Sequence, residues 1–306
     1  MVYALGILEL AGLNIILALS VYATLMVGQF SLAQVGFWSI GAYSVGMLTT
    51  LFGVPLALAL VMAGLLCGVI GILLGYPCLR IRGIYLTLAT VAFSEVVRVF
   101  FHNFEYFVQI AGVKVGPAGP QGFRGINVLT AWPEILVAVL LVVGVFAWIQ
   151  RSRLGLSVNA VREDETAAQC AGINTVAVKV GMFSLGAVVA GVGGGLYATY
   201  VSYINSDNFG FHLALISIFF VAVGGTERFI GPVVGALLLT ALPEVLRVAG
   251  DYRMIVYGVI VLAVMVLCPR GLVDEVRARM AKARARRAET VAMAVAPAGE
   301  PKEATL

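Results

Sequence analysis

Long apolar runs follow one another along this chain, broken by short stretches where charge, glycine or proline gathers. The runs lie near 5–27, 32–52, 56–76, 84–103, 132–150, 177–200, 211–225, 229–248 and 253–268. About twenty apolar residues carry a helix across a hydrocarbon core, so each run predicts a spanning helix, with 211–225 short or broken. Apolar and polar residues do not alternate within the runs, as the strands of a membrane barrel would require. Residues 28–31 barely separate the first two runs and admit a bent or re-entrant passage. The expected fold is all-α: a polytopic transmembrane helical bundle of eight or nine spans over residues 1–270, followed by a basic, partly disordered tail at 271–306.

One polar stretch interrupts the pattern in mid-chain. It reads Val161-Arg162-Glu163-Asp164-Glu165-Thr166-Ala167-Ala168-Gln169-Cys170-Ala171-Gly172-Ile173-Asn174. Three consecutive acids suit the positive end of a helix dipole. Gly172 suits a left-handed stop, which Ile173 closes with an apolar contact. These signals predict a helix over 164–171, roughly 12 Å long. Ala167, Ala168 and Ala171 are small enough for a groove on another protein to close around. A short, small-faced helix projecting from a bilayer is offered to a soluble partner.

Hydrophobic residues make up 61% of the 306-residue chain and charged residues 12%, with a mean hydropathy of +1.00. A soluble domain is about 25% charged, so the solvent here is lipid. The net charge of +4 is concentrated. Arg270, Arg277, Arg279, Lys282, Arg284, Arg286 and Arg287 stand against Asp274 and Glu275, which leaves the rest of the chain near neutral. A basic tail directly after a span is expected to face lipid headgroups in the cytoplasm rather than nucleic acid. Arg80 and Arg82, then Arg151, Arg153, Arg162 and Lys179, then that tail alternate correctly as cytoplasmic segments. Loops 104–131 and 201–210 then lie outside, as does the N-terminus if nine spans cross. Pro117, Pro120 and the glycines of 116–125 make the first of these loops irregular, and it is too long for a plain connector.

Cys67, Cys78, Cys170 and Cys268 are scattered and read as neither a disulfide framework nor a metal site. No cleavable leader is visible, since the first residues carry no Lys or Arg. Small residues recur four apart at Gly64/Gly68, Gly71/Gly75, Ala187/Gly191/Gly195 and Gly231/Gly235, a spacing that lets helix backbones approach closely in lipid. No GxxxxGK[ST] loop, HExxH or Ser–His–Asp pattern occurs, and His102 and His212 lie near the outer side. The chain is expected to hold no ATP, to need no cofactor and to be no enzyme.

Five stretches carry a resemblance in combination. Gly12-Leu13-Asn14, Ser31-Leu32-Ala33-Gln34 and Gly41-Ala42-Tyr43 form the first. Leu79-Arg80-Ile81-Arg82-Gly83-Ile84-Tyr85-Leu86-Thr87-Leu88-Ala89-Thr90, with Glu95 and Arg98, forms the second, and residues 160–174 the third. Gly231-Pro232-Val233-Val234-Gly235-Ala236 and Cys268-Pro269-Arg270-Gly271-Leu272 complete the set. Together they resemble the permease of high-affinity branched-chain amino acid ABC importers, of the LivM type, over nearly the whole chain.

The resemblance implies that residues 151–176 form a loop coupled to an ATPase, with Arg162, Glu163, Asp164, Glu165, Ala167, Ala168 and Gly172 at the contact. Thr166 stands where that family usually has Glu. Ala33 and Gln34 replace the Gly and His of its SLGHAAF block, and residues 115–122 replace its TGGPNGL-like loop. The implied partners are two ATP-binding subunits, a homologous second permease, a periplasmic or surface-anchored substrate-binding protein and membrane lipid. The implied place is the bacterial inner membrane, with the C-terminus cytoplasmic. The implied cargo is branched-chain or related amino acids, and the altered stretches leave urea and short amides open.

Candidate path residues are the polar groups inside apolar runs: Asn14, Gln34, Tyr43, Thr87, Thr90, Ser184 and Ser217. Each serves either as glue between helices or as one of the few polar groups on an apolar path wall. Glu95 and Arg98 lie one turn apart, Glu95 roughly 18 Å into its span. They either neutralise each other or touch the charged groups of a passing amino acid. Glu244 and Arg247 repeat that spacing near a span end. Two rivals remain open. An ion-gradient-driven transporter needs a buried relay, for which Glu95 and Arg98 are thin material. An assembly subunit needs no path at all.

Overall fold

The computed structural model describes residues 2–78, 81, 83–106, 108–110, 113–126, 130, 132–246, 252–269 and 271–280. Arg80, Arg82, Arg247, Arg270, Lys282, Arg284, Arg286 and Arg287 lie outside these residues. Each apolar run becomes a helix. In order these are α1 (Val2–Leu25), α2 (Gln34–Thr50), α3 (Leu56–Cys78), α4 (Ile84–Asn103) and α5 (Trp132–Arg151). Two short helices follow, α6 (Arg153–Glu163) and α7 (Glu165–Cys170). The bundle resumes with α8 (Thr175–Val201), α9 (Phe211–Gly224), α10 (Ile230–Val245) and α11 (Arg253–Leu267).

Among the described residues, seven helices are long and apolar enough to cross a membrane. α9 and α11 reach that length with the helical residues beside them, as Ser206–Gly224 and Arg253–Met280, whereas α2, with 17 residues, and α10, with 16, fall short. α2 is an inner helix. Most of its residues are buried, Gln34, Phe37, Trp38 and Tyr43 among them, and it lies between α8, α3 and α4.

α8 is the axis of the bundle, packed along α1, α2 and α3. Its contact with α2 is backbone on backbone. A Cβ on Gly41 would collide with the Gly191 carbonyl, and one on Gly194 with the Trp38 carbonyl. On the α3 side a Cβ on Gly191 would come within 2.6 Å of Cys67 Sγ, one on Gly68 within 2.8 Å of Val188, and one on Gly71 within 2.9 Å of Ala187. Gly231 and Gly235 make an equally close seam between α10 and the end of α9. The small-residue spacings therefore mark the places where helix backbones touch.

The 104–131 loop departs from the expected irregularity. Strands β1 (Val108–Ile110), β2 (Val113–Pro117) and β3 (Phe123–Arg124) form a small antiparallel sheet. Gly119 and Gly122, at φ +55° and +73°, turn the chain back between β2 and β3, so the Gly/Pro-rich stretch makes a hairpin turn. Phe123 N–H then donates to Ile204 O at 2.7 Å, and its buried ring sits edge-on to Tyr43. The start of the expected tail, 271–280, is packed on the bundle. Residues 272–280 are helical. A Cβ on Gly271 would collide with Gly225, and Asp274 is 3% exposed.

Gly194→Ala should lower the thermal stability of the purified protein sharply, since overpacking costs about 1–3 kcal/mol and a carbonyl cannot move aside. Gly258→Ala, at a helical position with open space around it, should leave the melting temperature unchanged or slightly raised. A thermal-shift measurement in detergent separates the two.

Candidate coupling site and transport path

Between α5 and α8 the chain turns into two short helices. α6 ends where Asp164 takes up an extended backbone, φ −151° and ψ 112°. That residue then caps α7. Its Oδ1 accepts from Thr166 N–H at 2.7 Å and Ala167 N–H at 3.1 Å, satisfying two donors that a helix start leaves orphaned. At the other end Gly172 stands at φ +83°. Its N–H donates to Gln169 O at 2.9 Å, and Ile173 N–H to Ala168 O at 3.0 Å, the paired closures of a Schellman end. The helix is six residues long, shorter than 164–171, because Asp164 and Ala171 act as its caps.

Exposure divides the residues expected at a partner contact. Ala168 is 4% exposed and packs inward, so it is not part of a surface face. Thr166, Ala167, Gln169, Cys170 and Ala171 face outward. Glu165 is held by Lys179 of α8, Oε2 to Nζ 2.7 Å, and Asp164 is engaged as the cap. Glu163 is the acid of this group left exposed without either task. Arg162 reaches back into the bundle, donating to Thr226 O at 3.2 Å and Thr226 Oγ1 at 3.4 Å.

Thr226 belongs to the turn between α9 and α10, and that turn is a junction. Glu227 N–H donates to Asp274 Oδ2 at 3.1 Å, while Gly271 presses on Gly225. Three remote segments therefore meet three residues ahead of α7: the end of α6, the α9–α10 turn and the segment following α11.

The path candidates do not gather in one cavity. Asn14 Nδ2 donates to Thr240 Oγ1 at 2.9 Å and ties α1 to α10. Ser184 Oγ donates to Gly68 O at 2.9 Å and ties α8 to α3. Ser217 Oγ donates to Ala214 O in its own turn at 2.7 Å. Thr87 and Thr90 act with Ser94 on the break between α1 and α2. Thr87 Oγ1 donates to Phe30 O at 3.0 Å, Leu32 N–H donates to Thr90 Oγ1 at 3.1 Å, and Ser94 Oγ donates to Leu32 O at 2.9 Å. Non-helical backbone at membrane depth needs such protein partners.

Gln34 is fully buried, and neither of its amide atoms finds a partner among the described residues; the same is true of the Tyr43 hydroxyl. The Tyr43 ring stacks on Phe101 at 4.1 Å. Thr87 does line an open hollow of 670 Å³, with Gln29, Phe30, Glu165 and Lys179, between the start of α4 and α7–α8. Glu95 and Arg98 pair at 2.7 Å, and Arg98 Nη1 also reaches Asp207 Oδ1 at 3.0 Å. Asp207 stands in the 3-10 turn Ser206–Phe209. The same turn meets α4 again where His102 Nδ1 lies 3.2 Å from Ser206 Oγ.

The family described as "Branched-chain amino acid transport system / permease component" matches residues 3–267. The chain belongs to this family. LivM of Salmonella typhimurium, a high-affinity branched-chain amino acid transport system permease protein, is 27% identical over 301 residues, 88% of this chain and 68% of its own. LivM of Escherichia coli K12 is similar to the same extent. A shorter likeness, 27% over 136 residues, links 42% of this chain to 38% of LsrC of Yersinia enterocolitica, an autoinducer 2 import system permease protein. No solved structure matches.

This LivM-type chain is a multi-pass integral membrane protein and the permease component of an ABC importer. Several residues that organise the permease carry no signal of that role in the sequence. Thr226 and Asp207 lie in short connections and acquire partners only through the fold. Asp274 and Lys179 stand out as charges, but their partners are 47 and 14 residues away along the chain.

Asp164→Ala should unfasten α7, at a cost of about 1 kcal/mol, without disturbing the spans. Hydrogen exchange should quicken at the amides of 165–171, Thr166 and Ala167 first, while α8 keeps its protection. Unchanged exchange there would mean that the cap is dispensable.

Proposed function

We propose that this permease is one of two in an ATP-driven importer of the bacterial inner membrane, and that it carries branched-chain or related amino acids. Two ATP-binding subunits would sit on the cytoplasmic side and a substrate-binding protein outside. The observation that carries the reading is α7. It is a short helix capped at both ends, with an outward face of Thr166, Ala167, Cys170 and Ala171, braced to α8 through Glu165–Lys179. A groove on an ATPase can close over side chains of that size. The positions of the basic residues support a cytoplasmic α7 and C-terminus, and nine crossings agree with an outside N-terminus if α2 and α10 both cross.

The mechanism follows from the junction at Thr226. Closure of the ATPases moves α7, and Arg162 passes the displacement to the α9–α10 turn while Lys179 passes it to the foot of α8. α8 touches α1, α2 and α3 along its length, so a tilt there repacks the centre of the bundle. The chain switches between two packed arrangements, open to one side or the other, whose populations ATP shifts. ATP is hydrolysed by the partner subunits. The relatives bear names for two cargoes, and the greater coverage of LivM favours amino acids.

Ala167→Arg should leave the permease in the membrane and stop it co-purifying with its ATPases. Retained co-purification would remove α7 from the docking site. Ala168→Arg is the poorer probe, since it buries a charge inside the chain.

Proteoliposomes holding both permeases, both ATPases and the binding protein should take up radiolabelled leucine only with ATP at the nucleotide-binding face. ATP hydrolysis stimulated by the binding protein without leucine uptake would keep the importer and move the cargo to urea, short amides or an autoinducer-like sugar. Neither signal, in an intact assembly, would favour the ion-gradient rival.

A further inference from the structure

The 670 Å³ hollow beside α7 lies between the α1–α2 break, the start of α4 and the corner where α7 meets α8. Its walls divide by chemistry. Phe30 and Ile84 give an exposed apolar side, and Gln29, Thr87, Glu165 and Lys179 a polar one. Among the described residues that line it, Glu165 is the one acid and Lys179 the one base, paired at 2.7 Å. The pair is drawn out of water, with the Lys179 side chain only 12% exposed. Such a pair adds little stability by itself, because lost hydration offsets the attraction. Gln29 is 7% exposed, and its Oε1 has no partner among the described residues. A buried acceptor left unpaired costs free energy and calls for a donor. Thr87 gives its own proton to Phe30 O, which leaves its oxygen able to accept.

We propose that this hollow binds a small zwitterion: a primary ammonium joined by a short link to an acid group, with an apolar remainder. The ammonium takes Glu165, Gln29 Oε1 and Thr87 Oγ1, three acceptors for its three N–H bonds. The acid group takes Lys179, and the apolar remainder lies on Phe30 and Ile84. Charge selects this ligand. A lining of one acid and one base is neutral, so a bare anion or cation would meet a like charge, and an apolar molecule would answer neither. A free amino acid carries this chemistry, and so does the ethanolamine headgroup of a lipid. The assignment rests on the importer reading for its side of the membrane: with α7 in the cytoplasm, the site faces the compartment where cargo is released. An occupant would join α7, through Glu165, to the foot of α8 and to the α1–α2 break.

The test uses the complete assembly of permeases and ATPases in nanodiscs, one set of phosphatidylglycerol alone and one that also contains phosphatidylethanolamine. Photoreactive leucine, with a diazirine in its side chain, is irradiated there without ATP, and its adducts are mapped by mass spectrometry. In phosphatidylglycerol they should fall on residues 28–30 and 83–87. Excess leucine should remove them, and N-acetylleucine, which has no ammonium, should not. Lys179→Met and Gln29→Leu should each lower the yield several-fold. Adducts that persist with phosphatidylethanolamine present would make the free amino acid the ligand, and adducts that it suppresses would make the headgroup the ligand. No adducts on these residues in either disc, or a yield indifferent to both variants, would overturn the site. Leucine uptake by the same assembly in proteoliposomes separates the two readings. Uptake without the adducts would leave the importer standing, whereas adducts without uptake would keep the site and overturn the amino acid importer.

Discussion

The bundle depends on one contact, the near-touching of the α2 and α8 backbones. Gly41 and Gly191 meet there, as do Gly194 and Trp38, with no room for a single added carbon. In lipid there is little hydrophobic force to draw helices together, so close packing and hydrogen bonds must do it. Glycine lets α2 sink far enough to become an inner helix. Once it is inside, Gln34 and Tyr43 are buried, and the amide of the one and the hydroxyl of the other find no partner among the described residues. It also leaves α8 as the axis touched by α1, α2 and α3.

A second constraint follows. An inner helix as short as α2 cannot be reached by a continuous helix from α1, so the chain breaks at residues 28–33. The hydroxyls of Thr87, Thr90 and Ser94 on α4 bind the broken backbone. The break also bends the chain back past the coupling segment: a Cβ on Gly28, at φ +72°, would stand 3.9 Å from the Arg162 side chain. Arg162 in turn holds Thr226. The α1–α2 break and the α9–α10 turn therefore lie at the end of the bundle where α7 lies.

What the sequence made legible was local. Nine apolar runs are enough to place nine helices, because span length and helical backbone bonding are properties of the segment itself. The ends of α7 could be read from Asp164 and Gly172 for the same reason. The inward turn of Ala168 could not, since it depends on what lies beneath a six-residue helix. The pairing of Glu95 with Arg98 was readable at a spacing of one turn, whereas Asp207, 109 residues further on, was not. Polar residues in the spans were the weakest guide. Asn14 and Ser184 each find a partner that no spacing announces, Ser217 bonds within its own turn, and Thr87 opens onto a cavity.

The distribution of these contacts bears on how such a permease moves. The α2–α8 seam is glycine against carbonyl and leaves no slack between the two backbones, so it would pass motion on rather than absorb it. The junction at Thr226 is held by three kinds of contact: a guanidinium on a carbonyl, a carboxylate on an amide, and a glycine packed against a glycine. The first two are directional and can be broken and remade within a few ångströms, which the seam cannot. A rigid axis joined to a releasable junction is the combination a two-state transporter needs. In the proposed coupling the axis would carry a small displacement of α7 through the bundle, and the junction would decide when that displacement is allowed. Under the proposed coupling, force at α7 would load Arg162–Thr226 and Glu165–Lys179 together, the releasable junction through the first and the rigid axis through the second.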